Sequence, residues 1–106
     1  MDNSLLEKFT PINGHERFGV NALGEVVNFK KKRMVSQVNV NGYRMVKLDG
    51  ILYYVHRLVA NAFIPNSEPV TRINVSHLDG DRANNIIFNL KWATNSEIQT
   101  RRFKKL

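Results

Sequence analysis

Between Val75 and Trp92 the chain reads VSHLDGDRANNIIFNLKW, and most of its side chains able to do chemistry are gathered there. His77 is the one group in that run that takes up and releases a proton near neutral pH. Asp79 and Asp81 are hard oxygen donors on a loop turned by Gly80, and the cations Arg82 and Lys91 flank them. An isolated histidine also serves as a purely structural residue, donating to a backbone carbonyl. Which role His77 plays depends on the elements that hold it.

Those elements can be read from the local pattern. Thr94-Asn95-Ser96-Glu97 matches a capping box, with Thr94 as N-cap and Glu97 at the third helical position. A helix should run from about residue 95 into Arg101-Arg102-Phe103-Lys104-Lys105, whose cations suit a helix C-terminus. Ile98 and Ala93 fall at the two positions of a hydrophobic staple. Val75 to Leu78 and Leu90 to Ala93 read as two short strands, so this end of the chain is strand, loop, strand, helix.

Upstream, Leu58, Val59, Ala62 and Phe63 recur at helical spacing, and Pro65, Asn66, Ser67 and Pro69 break that helix into an irregular connection over 64–73. The first half reads as strands. Phe18–Val20 and Val26–Phe29 flank a turn at 21–24, and Asn41-Gly42 precedes a strand carrying Tyr43, Met45, Val46 and Leu48. Asp49-Gly50 turns into Ile51-Leu52-Tyr53-Tyr54-Val55. The expectation is an α+β fold in one domain. A small antiparallel sheet occupies residues 1–53, and a short helix with a ββα unit occupies 54–106.

With 106 residues, 42% hydrophobic and 9% aromatic, the chain is sized for a single folded domain. It has no cysteine, which excludes disulfides and thiolate-bound zinc. No apolar run approaches the roughly 18 residues of a membrane span, and MDNSLLEKF lacks the basic-then-apolar order of a signal peptide. A soluble intracellular protein is therefore expected. Sixteen Lys and Arg against nine Asp and Glu give a net charge of +7, which favours a polyanionic partner through counterion release.

These residues together resemble the HNH endonucleases of the phage and intron-homing kind, a branch of the His-Me finger (ββα-metal) nucleases. The similar stretches are Tyr54-Val55-His56-Arg57-Leu58-Val59-Ala60, Phe63-Ile64-Pro65, His77-Leu78-Asp79-Gly80-Asp81, Asn84-Asn85 and Asn89-Leu90-Lys91-Trp92-Ala93-Thr94. The segment PINGHERFGVNALGEVVNF resembles the DNA-contacting module often placed before such cores, with Phe9 where that module has tryptophan.

The resemblance implies phosphodiester hydrolysis with His77 as general base. Asn89 would tie the loop so that the histidine points correctly, and Asn85 would close the turn before it. It also implies a magnesium ion between a side chain beside the histidine and one on the following helix. Those positions hold Ser76, a weak ligand, and Ile98, which has no donor atom, so no metal ligand is assigned.

For DNA contact the candidates are Lys30, Lys31, Lys32, Arg33, Arg44, Lys47, Arg82, Lys91, Arg101 and Arg102, with Lys104 and Lys105 as extensions. His56 is expected to be structural, His15 carries no signal, and Trp92 is expected in the core. Three readings stay open: a DNA-binding protein that has lost cleavage and needs no cofactor, an active magnesium-dependent nuclease, and an inhibitor whose basic face binds a protein partner. In each, the resemblance places the protein in the cytoplasm of a cell hosting a phage or mobile element.

Overall fold

The structure, a computed structural model, describes residues 4–98. Two tight turns organise its first half. Asn41 (φ 54°) and Gly42 (φ 87°) join strand β5 (Val38–Val40) to β6 (Tyr43–Leu48), and Asp49 (φ 51°) and Gly50 (φ 86°) join β6 to β7 (Ile51–Tyr54). Two consecutive positive-φ residues give the primed turn whose twist matches paired strands. The expected strand 43–48 is thus the centre of a three-stranded antiparallel sheet in the order β5-β6-β7.

Residues before it form a separate sheet. A short helix α1 (Ser4–Glu7) precedes β1 (Thr10–Ile12), β2 (His15–Val20), β3 (Val26–Asn28) and β4 (Arg33–Met34), paired antiparallel in that order. The first half therefore holds two sheets where one was expected. The cause lies at residues 35–37, where Val35 N–H donates to Val26 O (2.8 Å) and Gln37 Nε2 to Gly24 O (2.8 Å). Those bonds tie the chain back to the first sheet and end its ladder before β5.

Helix α2 (Val55–Phe63) runs straight out of β7 with Tyr54 as N-cap residue. Its buried face is Val55, His56, Val59 and Ala60, and Ala62 is exposed, contrary to the sequence expectation. The side of the helix that packs on β6, β7 and β9 sets the buried stripe at 55/59 and 56/60. Val46 and Leu48 face inward from β6 and are fully buried with Val20, Val26, Val55 and Val59. Tyr43, Met45 and Lys47 alternate onto the other face of that sheet. The division expected at residues 53 and 54 cuts through β7, where Tyr54 pairs with Met45.

The second half is a hairpin of β8 (Asn74–His77) and β9 (Leu90–Ala93), joined by a loop that ends in a 3-10 turn at Ile87–Asn89. Both capping-box bonds are present, Glu97 N–H to Thr94 Oγ1 (3.1 Å) and Thr94 N–H to Glu97 Oε1 (3.2 Å), so a helix opens at residue 95. Arg72 fastens that cap to the 64–73 connection through an ion pair with Glu97. Trp92 is half-buried and donates from Nε1 to Ile64 O (2.9 Å). Arg101, Arg102, Lys104 and Lys105 lie outside the described residues.

Candidate functional site

The loop after His77 is built around one buried side chain. Asn89 donates from Nδ2 to Asp79 Oδ1 (2.9 Å) and to Asn84 O (2.8 Å), and its Oδ1 accepts from Asp79 N–H (3.0 Å). Asp79 is held further by Asn84 Nδ2 on Oδ2 (2.8 Å) and Asp81 N–H on Oδ1 (2.7 Å). Those donors, the Asn84 amide first, keep the Asp79 carboxyl below its ordinary range. Asp81 caps the next turn by accepting from Ala83 N–H (2.9 Å). Both oxygens of Asp79 and one of Asp81 are thus bonded within the loop itself.

Asn85, not Asn89, reaches the histidine. Its Oδ1 lies 2.8 Å from His77 Nε2, and both residues are buried. With the amide oxygen facing the ring, Nε2 carries the hydrogen and Nδ1 is the basic nitrogen. Gly24 backs Asn85 from the first sheet. A Cβ at Gly24 would stand 3.0 Å from Asn85 Cβ and 3.1 Å from Asn85 O, at φ +85°. Gly24→Ala should therefore cost about 1–3 kcal/mol in urea unfolding and shift the His77 ring resonances, because left-handed strain and the clash add.

Tyr43 and His56 pack against His77, and Tyr54 packs on both of them. Ring centroids are 5.3 Å for Tyr43–Tyr54, 5.3 Å for Tyr43–His56, 5.2 Å for Tyr54–His56 and 5.0 Å for His56–His77. His56 Nδ1 is buried with no hydrogen-bond partner among the described residues. Burial first, then the neighbouring His77 and Arg57, push His56 down to about 4. A neutral folded-state histidine stabilises only while the unfolded chain is also neutral. As pH falls from about 6.5 to 4 the unfolded chain takes the proton first, and about 2–3 kcal/mol should be lost. Urea midpoints across that range should show this loss in the wild type and its absence in His56→Gln.

The described basic candidates lie on several different elements. Lys30, Lys31, Lys32 and Arg33 are exposed on the β3–β4 turn. Arg44 and Lys47 point to opposite faces of β6, since their positions differ by an odd number. Arg82 is exposed, lies 4.9 Å over the Tyr43 ring and donates to Asn41 O (3.2 Å). Lys91 is exposed and pairs with Ser76 across the hairpin. The strand's alternation puts Ser76 and Lys91 on the face opposite His77.

Ile98 is half-buried on the first turn of the last helix. These side chains do not fit a hard divalent ion, which wants several oxygen donors and no neighbouring ammonium. Sequence reading missed His15, whose ring bridges Asp49 Oδ2 (2.9 Å) and Tyr53 Oη (2.8 Å). Its partners lie 34 and 38 residues away, and only long-range strand pairing brings them together.

Comparison with known proteins places the fold among known ones. The family described as HNH endonuclease matches residues 53–99. An uncharacterised HNH endonuclease of Acanthamoeba polyphaga mimivirus, L247, is 38% identical over 95 residues, covering 85% of this chain and 24% of that protein. The DNA endonuclease I-HmuI of Bacillus phage SP01 is 36% identical over 89 residues, covering 78% of this chain and 50% of that protein. A solved structure titled for DNA binding and cleavage by the HNH homing endonuclease I-HmuI superposes with a TM-score of 0.83 at 29% identity. That superposition covers 92% of this chain and 59% of the solved one. This chain thus spans a quarter to about half the length of the two curated relatives.

Proposed function

The chain belongs to the HNH endonuclease family, and from there we propose that it binds DNA on this scaffold and acts by occupying a site, with cleavage lost or very weak. One observation carries the reading: the two positions expected to hold the metal are Ser76 and Ile98, and Ser76 faces away from His77 beside Lys91. Of the loop carboxylates after His77, Asp79 has both oxygens bonded within the loop and Asp81 has Oδ1 bonded to Ala83 N–H. Net charge of +7 and the exposed run Lys30–Arg33 supply the attraction for phosphate. By the same reading it works in the cytoplasm of a cell hosting a phage or mobile element.

A second reading, a magnesium-dependent nickase, is favoured by the His77–Asn85 pair. Asn85 fixes the hydrogen on Nε2, which leaves Nδ1 to take a proton from an attacking water. Magnesium would supply charge stabilisation at the phosphate.

Supercoiled and linear duplex DNA in magnesium, manganese or EDTA, followed for both binding and cutting, separates the two. The expected result is binding that survives EDTA and falls linearly with log salt, without nicking above the His77→Ala background. Alanine at Lys30, Lys31, Lys32 and Arg33 should reduce the salt slope by about 0.9 for each phosphate left unneutralised. Metal-dependent nicking that His77→Ala abolishes would establish the second reading instead.

A further inference from the structure

On the other side of Tyr54 from His77 lies a cleft of about 500 Å³, between the first sheet, the second sheet and α2. Its volume falls in the range of about 300–1,000 Å³ that small-ligand sites occupy. Its walls combine two chemistries. Met45, Leu52 and Tyr54 present an apolar and aromatic surface, with Leu52 and Tyr54 left 47% and 38% exposed. Opposite them stand Arg57, Asn13 and Asn61, whose side chains make no hydrogen bond or ion pair among the described residues.

One further polar group in the cleft is fixed in place. Tyr53 Oη donates to His15 Nε2 (2.8 Å), and His15 Nδ1 donates to Asp49 Oδ2 (2.9 Å), while Arg17 approaches the other oxygen of that carboxylate at 3.6 Å. With its hydrogen committed to His15, the Tyr53 oxygen keeps a lone pair to accept from a ligand donor.

We propose that this cleft takes a single unstacked nucleotide of a bound nucleic acid strand, with Arg57 on its phosphate and the base laid against Met45, Leu52 and Tyr54. The inference rests on the nucleic-acid reading above for the source of that nucleotide. A half-buried guanidinium without a counter-ion suits a phosphate, which it meets through two parallel N–H donors. Aromatic and thioether surfaces accept the face of any base, so such a site holds position without reading sequence. The Asn13 and Asn61 amides can meet a base edge or sugar. Tyr54 belongs both to this cleft and to the ring stack that ends at His77, so a strand lying along the stack passes the mouth of the cleft.

Two-dimensional NMR of the full chain tests this with inorganic phosphate, thymidine 5′-monophosphate, single-stranded (dT)8 and duplex DNA as probes. Among the signals of the cleft, phosphate should move that of Arg57 Nε alone. The mononucleotide should also move the Met45 methyl, and (dT)8 should move the same set at a concentration at least about tenfold lower. Arg57→Ala should weaken (dT)8 binding about tenfold or more, since losing even one of its two charge-assisted hydrogen bonds has that effect. Asn61→Asp, at an exposed helix position, should weaken it in the same direction by placing a carboxylate beside the phosphate.

Shifts confined to the Lys30–Arg33 turn and Lys91, with the cleft silent, would overturn the cleft and leave DNA binding standing. A mononucleotide that binds more tightly than (dT)8 would overturn the strand as the source. No response to any nucleic acid would overturn both the cleft and the reading it rests on.

Discussion

Ser76→Asp and Ile98→Asn together should create a protein that nicks supercoiled DNA in magnesium at least about a hundredfold faster than the wild type, since a bound metal contributes several kcal/mol to phosphoryl transfer. The base geometry is already in place, with Asn85 holding the His77 ring. What is missing is oxygen donors for a cation that keeps near-octahedral geometry and gives up water reluctantly. Either substitution alone should fall well short, because one new donor leaves the ion bound mostly by water. At position 76 the new carboxylate faces Lys91, which competes with the metal for it. Adding Lys91→Ala should therefore raise the rate again. Truncating Ile98, only half-buried, should cost about 1–2 kcal/mol, which a folded domain tolerates. Cutting must disappear when His77→Ala is added. If the double substitution folds and binds magnesium but does not cut, loss of the metal site is not what separates this chain from an active nuclease.

Asn89→Ala should be the most damaging single change in the loop, lowering unfolding free energy by about 2–4 kcal/mol. The side chain makes three hydrogen bonds from a buried position, and its removal strands Asp79 N–H and Asn84 O inside the loop. Asp79 also loses a donor, so the carboxylate that organises Asn84 and Asp81 is loosened. Asn85→Ala removes one hydrogen bond to the histidine and should cost less, about 1–2 kcal/mol. Chemical denaturation of the two variants gives the ordering. The ordering would be reversed if the His77–Asn85 pair, and not the Asn89 network, held the loop.

Sequence made legible what local rules control. The capping box at Thr94 and Glu97 forms both of its bonds, and the Asn41-Gly42 and Asp49-Gly50 pairs adopt the positive φ their residue types favour. The stretch from His77 to Trp92 has the strand, loop and strand expected of it. Interactions between distant segments were not legible. Nothing near Arg82 says that its guanidinium will lie over Tyr43, 39 positions earlier, and nothing near His15 announces Asp49 and Tyr53. The split into two sheets turns on Val35 and Gln37 bonding backward, which residue type alone does not reveal. His56 gave only half its signal: its burial follows from the helix pattern, but its packing against His77 needs β6 to bring Tyr43 alongside.

Beside the shared core, specific contacts join the two halves near the histidine. Ile87 N–H donates to Ala22 O (2.8 Å), Gly24 leaves room for Asn85, and Arg82 reaches across to the Asn41 turn. The histidine's setting is thus partly built by residues some fifty positions ahead of it, on a turn that carries no chemistry of its own. Families that spread by swapping parts would find this finger a poor cassette: a graft joined after residue 53 arrives without the bend that seats Asn85. Whatever front end such a hybrid acquires must bring a glycine of the same handedness, or the histidine is inherited without its aim.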